Sequence, residues 1–138
     1  MRLTYNNLCA DANLNSTAAG TKLQQWTCVQ GSSGQLWTLE PISGTNNQVQ
    51  VTRLGQCMQA MGGVAGTAAK QYPCSGSVTQ RWTITTSSMG LATNAAFSLQ
   101  SVGYPSRCLE SYGGNANLGS VLDTYNCGFP FYQSFSLR

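Results

Sequence analysis

The 138-residue chain carries seven Lys or Arg, four Asp or Glu and no His, a net charge of +3. Charged residues are 8% of it, against roughly 25% in an ordinary globular domain, and the cations are scattered between Arg2 and Arg138 without a run. This argues against a nucleic-acid partner, which calls for a concentrated basic patch, and no apolar stretch approaches the roughly 20 residues of a membrane span.

Residues 1–10 hold no long apolar run and are not a signal peptide. A leader is expected to have been removed, or the chain is one module of a longer protein. Cys9 and Cys28 come first, then a Gly-Ser-Ser-Gly turn at 31–34 and the triplet Gln35-Leu36-Trp37. A polar stretch at 43–47 precedes Gln48-Val49-Gln50-Val51-Thr52, whose alternation predicts a strand. Cys57 and Cys74 follow. Between them, residues 65–69 contain helix formers but are short and flanked by Gly, so a loop is expected. The second triplet, Gln80-Arg81-Trp82, runs into the β-prone Thr83-Ile84-Thr85. Phe97-Ser98-Leu99-Gln100 alternates again. Cys108, a Gly-Gly-Asn turn at 113–115, Cys127 and the triplet Gln133-Ser134-Phe135 close the series.

The order Cys, Gly-rich middle, Cys, Gln-x-aromatic thus recurs three times, every 45 to 53 residues, and internal repetition of this kind decides the architecture. Short strands with regular turn signals read as an all-β barrel or sandwich. Propellers typically need four or more blades, so one closed threefold barrel is the better reading. A single domain over 1–138 is expected, with repeats at about 1–46, 47–93 and 94–138. Six cysteines allow 15 pairings. The repeat symmetry selects Cys9–Cys28, Cys57–Cys74 and Cys108–Cys127, each worth on the order of 3 kcal/mol. Disulfides imply an oxidising, secreted setting. Without His or a CxxC pair no zinc site is expected, nor any other metal or cofactor.

Three Gln-x-aromatic triplets in phase with three Cys pairs make the chain, from about Leu3 to Leu137, resemble the ricin B-type β-trefoil lectins. These include the xylan- and galactose-binding family 13 modules. The resemblance implies three lobes, each with one shallow sugar site. It implies that Trp37, Trp82 and Phe135 point inward as core. It also implies that Trp26, Tyr72 and Tyr125, each two residues before the second Cys of its pair, are exposed platforms for the apolar face of a pyranose. In the first lobe it assigns Asp11 as the key carboxylate, beside Gln24 on the strand of Trp26, with Gln35 bracing Asp11 or touching the sugar. The family often has Asn before the triplet Gln. Here that residue is Gly34, so one hydroxyl contact is expected to be missing. In the second lobe Gln59 replaces the carboxylate and Lys70 the Gln, leaving Tyr72 and Gln80 in a weakened site. In the third, Glu110 and Asp123 stand together with Tyr125, Tyr132 and Gln133. Two carboxylates there offer four acceptor oxygens, or repel and raise one pKa.

The expected function is a non-enzymatic lectin for galactose-type sugars, or xylose- and arabinose-type ones. Its partners would be a glycan or plant polysaccharide and a catalytic domain in a longer parent chain. The only four acids are Asp11, Glu40, Glu110 and Asp123, and a shallow surface gives little means to tune a general acid. The rival reading is a protein-binding or inhibitory trefoil using a projecting loop, either 104–107 or the aromatic 127–132.

Overall fold

The computed structural model describes residues 1–86, 95–128 and 132–137. The first lobe contributes β1 (Arg2–Leu3), β2 (Cys9–Ala12), β3 (Leu23–Trp26) and β4 (Thr38–Pro41). The second contributes β5 (Gln48–Arg53), β6 (Gln56–Gln59), β7 (Thr67–Ala68), β8 (Lys70–Pro73) and β9 (Trp82–Thr86). The third contributes β10 (Phe97–Ser101), β11 (Arg107–Ser111), β12 (Leu122–Asn126) and β13 (Phe135–Ser136). The only helical segments among the described residues are four 3-10 turns of three residues each. All three alternating runs read from the sequence are strands. The loop expected at 65–69 is corrected by β7, which pairs with β12 of the third lobe, Thr67 opposite Thr124 and Ala68 opposite Asp123. Its partner lies far away in sequence, so no local pattern announces it.

Antiparallel pairing runs β4-β5-β9-β10-β13-β1. These six strands wrap the core, and three hairpins, β2/β3, β6/β8 and β11/β12, hang from them. This is a β-trefoil. Trp37, Trp82 and Phe135 are buried with Leu3, Val51, Phe97 and Leu99. Trp37 donates its indole N–H to the carbonyl of Ala10 at 3.0 Å and Trp82 to that of Met58 at 3.1 Å. A buried indole must find such an acceptor, and in the first and second lobes it finds the hairpin strand that carries the first Cys. The disulfides are Cys9–Cys28, Cys57–Cys74 and Cys108–Cys127.

The lobes interlock in one rotational sense. The residue before each platform aromatic is fully buried: Gln25, Gln71 and Thr124. Gln25 donates to the carbonyls of Asn115 and Asn117 in the third lobe. Gln71 donates to those of Ser16 and Ala18 in the first. Thr124 donates to Thr67 in the second, at a longer 3.5 Å. Each also accepts, through its own carbonyl, the N–H of a loop glycine: Gly119, Gly20 and Gly66 respectively. Because buried polar groups must be paired, each lobe fixes one loop of its neighbour, and that loop walls the site of the lobe that holds it.

Candidate functional site

The hairpin register sets three equivalent constellations. Cys9 faces Trp26, Cys57 faces Tyr72 and Cys108 faces Tyr125. Two residues further in, Asp11 faces Gln24, Gln59 faces Lys70 and Glu110 faces Asp123. Residues opposite one another across an antiparallel pair share a face, so each platform and its polar pair look the same way.

The triplet glutamines do one job three times. Gln35 accepts from the Val29 N–H and donates to the Thr27 carbonyl and to Asp11 Oδ2 at 3.1 Å. Gln80 accepts from the Ser75 N–H and donates to Pro73 and to Gln59 Oε1 at 3.0 Å. Gln133 accepts from the Gly128 N–H and donates to Asn126 and to Glu110 Oε2 at 3.1 Å. All three are buried. Of the two roles the sequence left open for Gln35, the geometry supports bracing.

In the first lobe, Asp11 Oδ1 also accepts from Gln24 Nε2 at 3.0 Å. An ionised carboxylate offers about four acceptor sites, and two are taken, one per oxygen. Trp26 is 41% exposed beside it, in a cleft of about 500 Å³ that also takes in Asn13, Asn15 and Ser32. A Cβ on Gly119 would lie 3.5 Å from the Trp26 ring, in van der Waals contact, so the loop from the third lobe abuts the platform.

Gly34 does not leave a gap. A Cβ there would stand 2.6 Å from Asn15 Oδ1, because the Asn15 side chain fills that space. Its Oδ1 accepts from the Gly34 N–H at 2.8 Å and the Ser32 hydroxyl at 2.9 Å. An amide thus stands beside Gly34, supplied from the turn after β2. Asn15 and its neighbour Leu14 sit at φ of +57° and +56°, a region Asn enters more readily than most residues. Arg53, also missed by the sequence reading, ties this corner together. Its buried guanidinium donates to the carbonyls of Ser16 and Ser33 and to Gln71 Oε1, and lies 5.6 Å from the Trp37 ring centre.

The third lobe solves the same corner from the other side. Gly114 (φ +66°) occupies the place of Asn15, and a Cβ on it would come within 1.9 Å of the Tyr132 ring. Tyr132 occupies the place of Gly34 and stacks edge-on against Tyr5, 5.8 Å between centres. Glu110 and Asp123 are 3% and 1% exposed. Burial pushes Glu110 above its ordinary value, partly offset by the Gln133 hydrogen bond. Burial, then the Glu110 charge, pushes Asp123 up from 3.8 to about 7. Tyr125 is 38% exposed above them.

The second lobe holds only neutral acceptors around Gln59, with Lys70 across the hairpin and Tyr72 half-buried. Of the two loops considered for a protein partner, 104–107 is tied down, with Arg107 donating to the Gly63 carbonyl at 2.8 Å. The aromatic stretch at 129–131 lies outside the described residues.

The sequence model of the ricin-type beta-trefoil lectin domain matches residues 1–98. The chain belongs to that family. No curated protein matches it in sequence. Among solved structures it is similar to a designed threefold-symmetric protein, ThreeFoil, at 16% identity over 98% of this chain and 93% of that one, TM-score 0.83. It is similar to the C-half of an earthworm R-type lectin in complex with GalNAc, at 13% identity over 97% and 92%, TM-score 0.70. It also resembles part of the exo-β-1,3-galactanase 1,3Gal43A of Clostridium thermocellum, at 16% identity and TM-score 0.84, covering 99% of this chain but only 28% of that enzyme. At these identities the likeness is one of fold.

Proposed function

We propose that this ricin-type lectin domain binds galactose-type sugars without transforming them, chiefly in its first lobe. The observation that carries this is the Asp11 carboxylate, held by one amide on each oxygen with its remaining acceptor sites free, next to an exposed indole. Adjacent sugar hydroxyls donate to Asp11 while the apolar ring face rests on Trp26. Charge-assisted hydrogen bonds of this kind are roughly twice as strong as neutral ones. Asn15 Nδ2 and Gln24 Oε1 supply a donor and an acceptor at the rim. The GalNAc-bound earthworm lectin and the galactanase support the choice of sugar. Three disulfides suit an extracellular setting, and secretion, alone or attached to a catalytic domain, is part of this reading.

A shallow site immobilises few atoms, so the single-site Kd should be weak, about 1 mM, with avidity on a polymer. The test is an NMR titration of the Trp indole signals with galactose, lactose, xylose and N-acetylgalactosamine. Galactose or lactose should shift the Trp26 signal and leave Trp37 and Trp82 still, and Trp26→Ala should abolish the response. A larger response to xylose would move the assignment to pentose polymers. No response to any sugar would sink the lectin reading.

A further inference from the structure

The third lobe contains an acid, Asp123, that the described residues leave unsatisfied. Both carboxylate oxygens of Asp123 are buried and have no hydrogen-bond partner among the described residues. Across the hairpin, Glu110 places a second carboxylate on the same face, holding one oxygen to Gln133. Leaving a charged group buried and unpaired is among the costliest arrangements a fold can keep. The first lobe avoids it at the same register, where Gln24 donates to Asp11.

The two acids line a cleft of about 280 Å³ together with Tyr112, Gly113, Tyr125 and Tyr132. We propose that this cleft binds a sugar carrying a free ammonium group, a non-acetylated amino sugar, with Glu110 and Asp123 as its counter-ions. The inference rests on the lectin reading only in taking the ligand to be a sugar. An ammonium is a compact donor of three hydrogen bonds, matching the two Asp123 oxygens, which accept from nothing else among the described residues. Tyrosine faces add cation–π attraction, and Tyr125 stands at the platform position. A metal ion fits less well, since no group of three or more ligating side chains exists among the described residues and hard cations take six or more oxygens.

The upward shift of the Asp123 pKa agrees with this. The groups facing it are Glu110 from β11 and the tyrosines of the cleft, while β7 brings only Thr67 and Ala68. Among the described residues no positive side chain lowers its pKa, so an arriving ammonium supplies the missing opposite charge.

The experiment is an NMR titration near neutral pH with D-galactosamine, N-acetyl-D-galactosamine, D-galactose and methylammonium chloride. Tyr125 and Tyr132 report the third lobe and the Trp26 indole the first. Galactosamine should bind the third lobe at least about tenfold more tightly than N-acetylgalactosamine, the step expected when a neutral donor becomes a charged one. Asp123→Asn should reduce that preference to about threefold or less while the Trp26 response to galactose persists, showing the fold intact. Equal affinity for the two hexosamines, a preference that survives in Asp123→Asn, or methylammonium binding as tightly as galactosamine would each overturn the proposal. Loss of the third-lobe preference with Trp26 still responding leaves the first-lobe function standing. Preference at the third lobe with Trp26 silent does the reverse.

Discussion

The first and third lobes share one frame and differ in what the frame holds. Each has the disulfide, the triplet Gln bracing an acid and a platform aromatic across from the first Cys. The partner of that acid differs: an amide in the first lobe, a second acid in the third. The corner beside it is filled by Asn15 leaning over Gly34 in one and by Tyr132 leaning over Gly114 in the other. The lesson is that bracing and register are fixed by buried backbone pairing, whereas two opposed positions per lobe set polarity and shape. Bulk at one of the two corner positions requires its absence at the other.

The largest effect should come from the acid pair. The folded pKa of Asp123 lies at about 7, above the ordinary 3.8, so ionisation costs more in the folded chain than in the unfolded one. The stability at stake is fully present below about pH 4 and is lost as pH rises through about 7, by at most about 4 kcal/mol. Urea unfolding across that range should show the decline, and Asp123→Asn should flatten it. A wild-type curve equally flat would refute the buried, unpaired state.

Next, Gly114→Ala should cost about 3 kcal/mol by thermal unfolding, because a methyl cannot enter the Tyr132 ring and the positive φ adds strain. Gly113→Ala, at φ +58° with open space around it, should cost only about 1 kcal/mol. Adding Tyr132→Gly to Gly114→Ala should remove most of the difference. Similar losses for both single variants would break the corner-swap account.

Gln35→Leu should destabilise by about 2 kcal/mol, since it strands Asp11 Oδ2 and the Thr27 carbonyl without their donor. It should also weaken galactose binding, a joint effect that calorimetry and sugar titration together would detect. The smallest change is predicted for Asn15→Ala, about three- to tenfold in first-lobe affinity from one neutral hydrogen bond. Unchanged affinity would mean that the amide only packs the corner.

Much of this was legible beforehand. The repeated Cys pairs and Gln-x-aromatic triplets point to three lobes and inward-facing Trp37, Trp82 and Phe135. Alternation at 48–52 and 97–100 marks two barrel strands. Asp11, Gln24, Trp26 and Gln35 meet because they sit at fixed offsets from paired cysteines, and antiparallel register converts such offsets into shared faces. What lay beyond reach was non-local: β7, the Gly119 loop against Trp26, the Arg53 clamp and the space Asn15 fills.

The sequence by itself determined the threefold β architecture and the disulfide pairing, since these follow from signals that recur with each repeat. Only the tertiary structure decided which lobe's loop walls which site, that Asn15 from the turn fills the space over Gly34, and that Asp123 is buried beside Glu110 with no donor among the described residues. Those outcomes depend on contacts between repeats and on loss of solvent around charges, and neither is encoded in the spacing of residues along one strand.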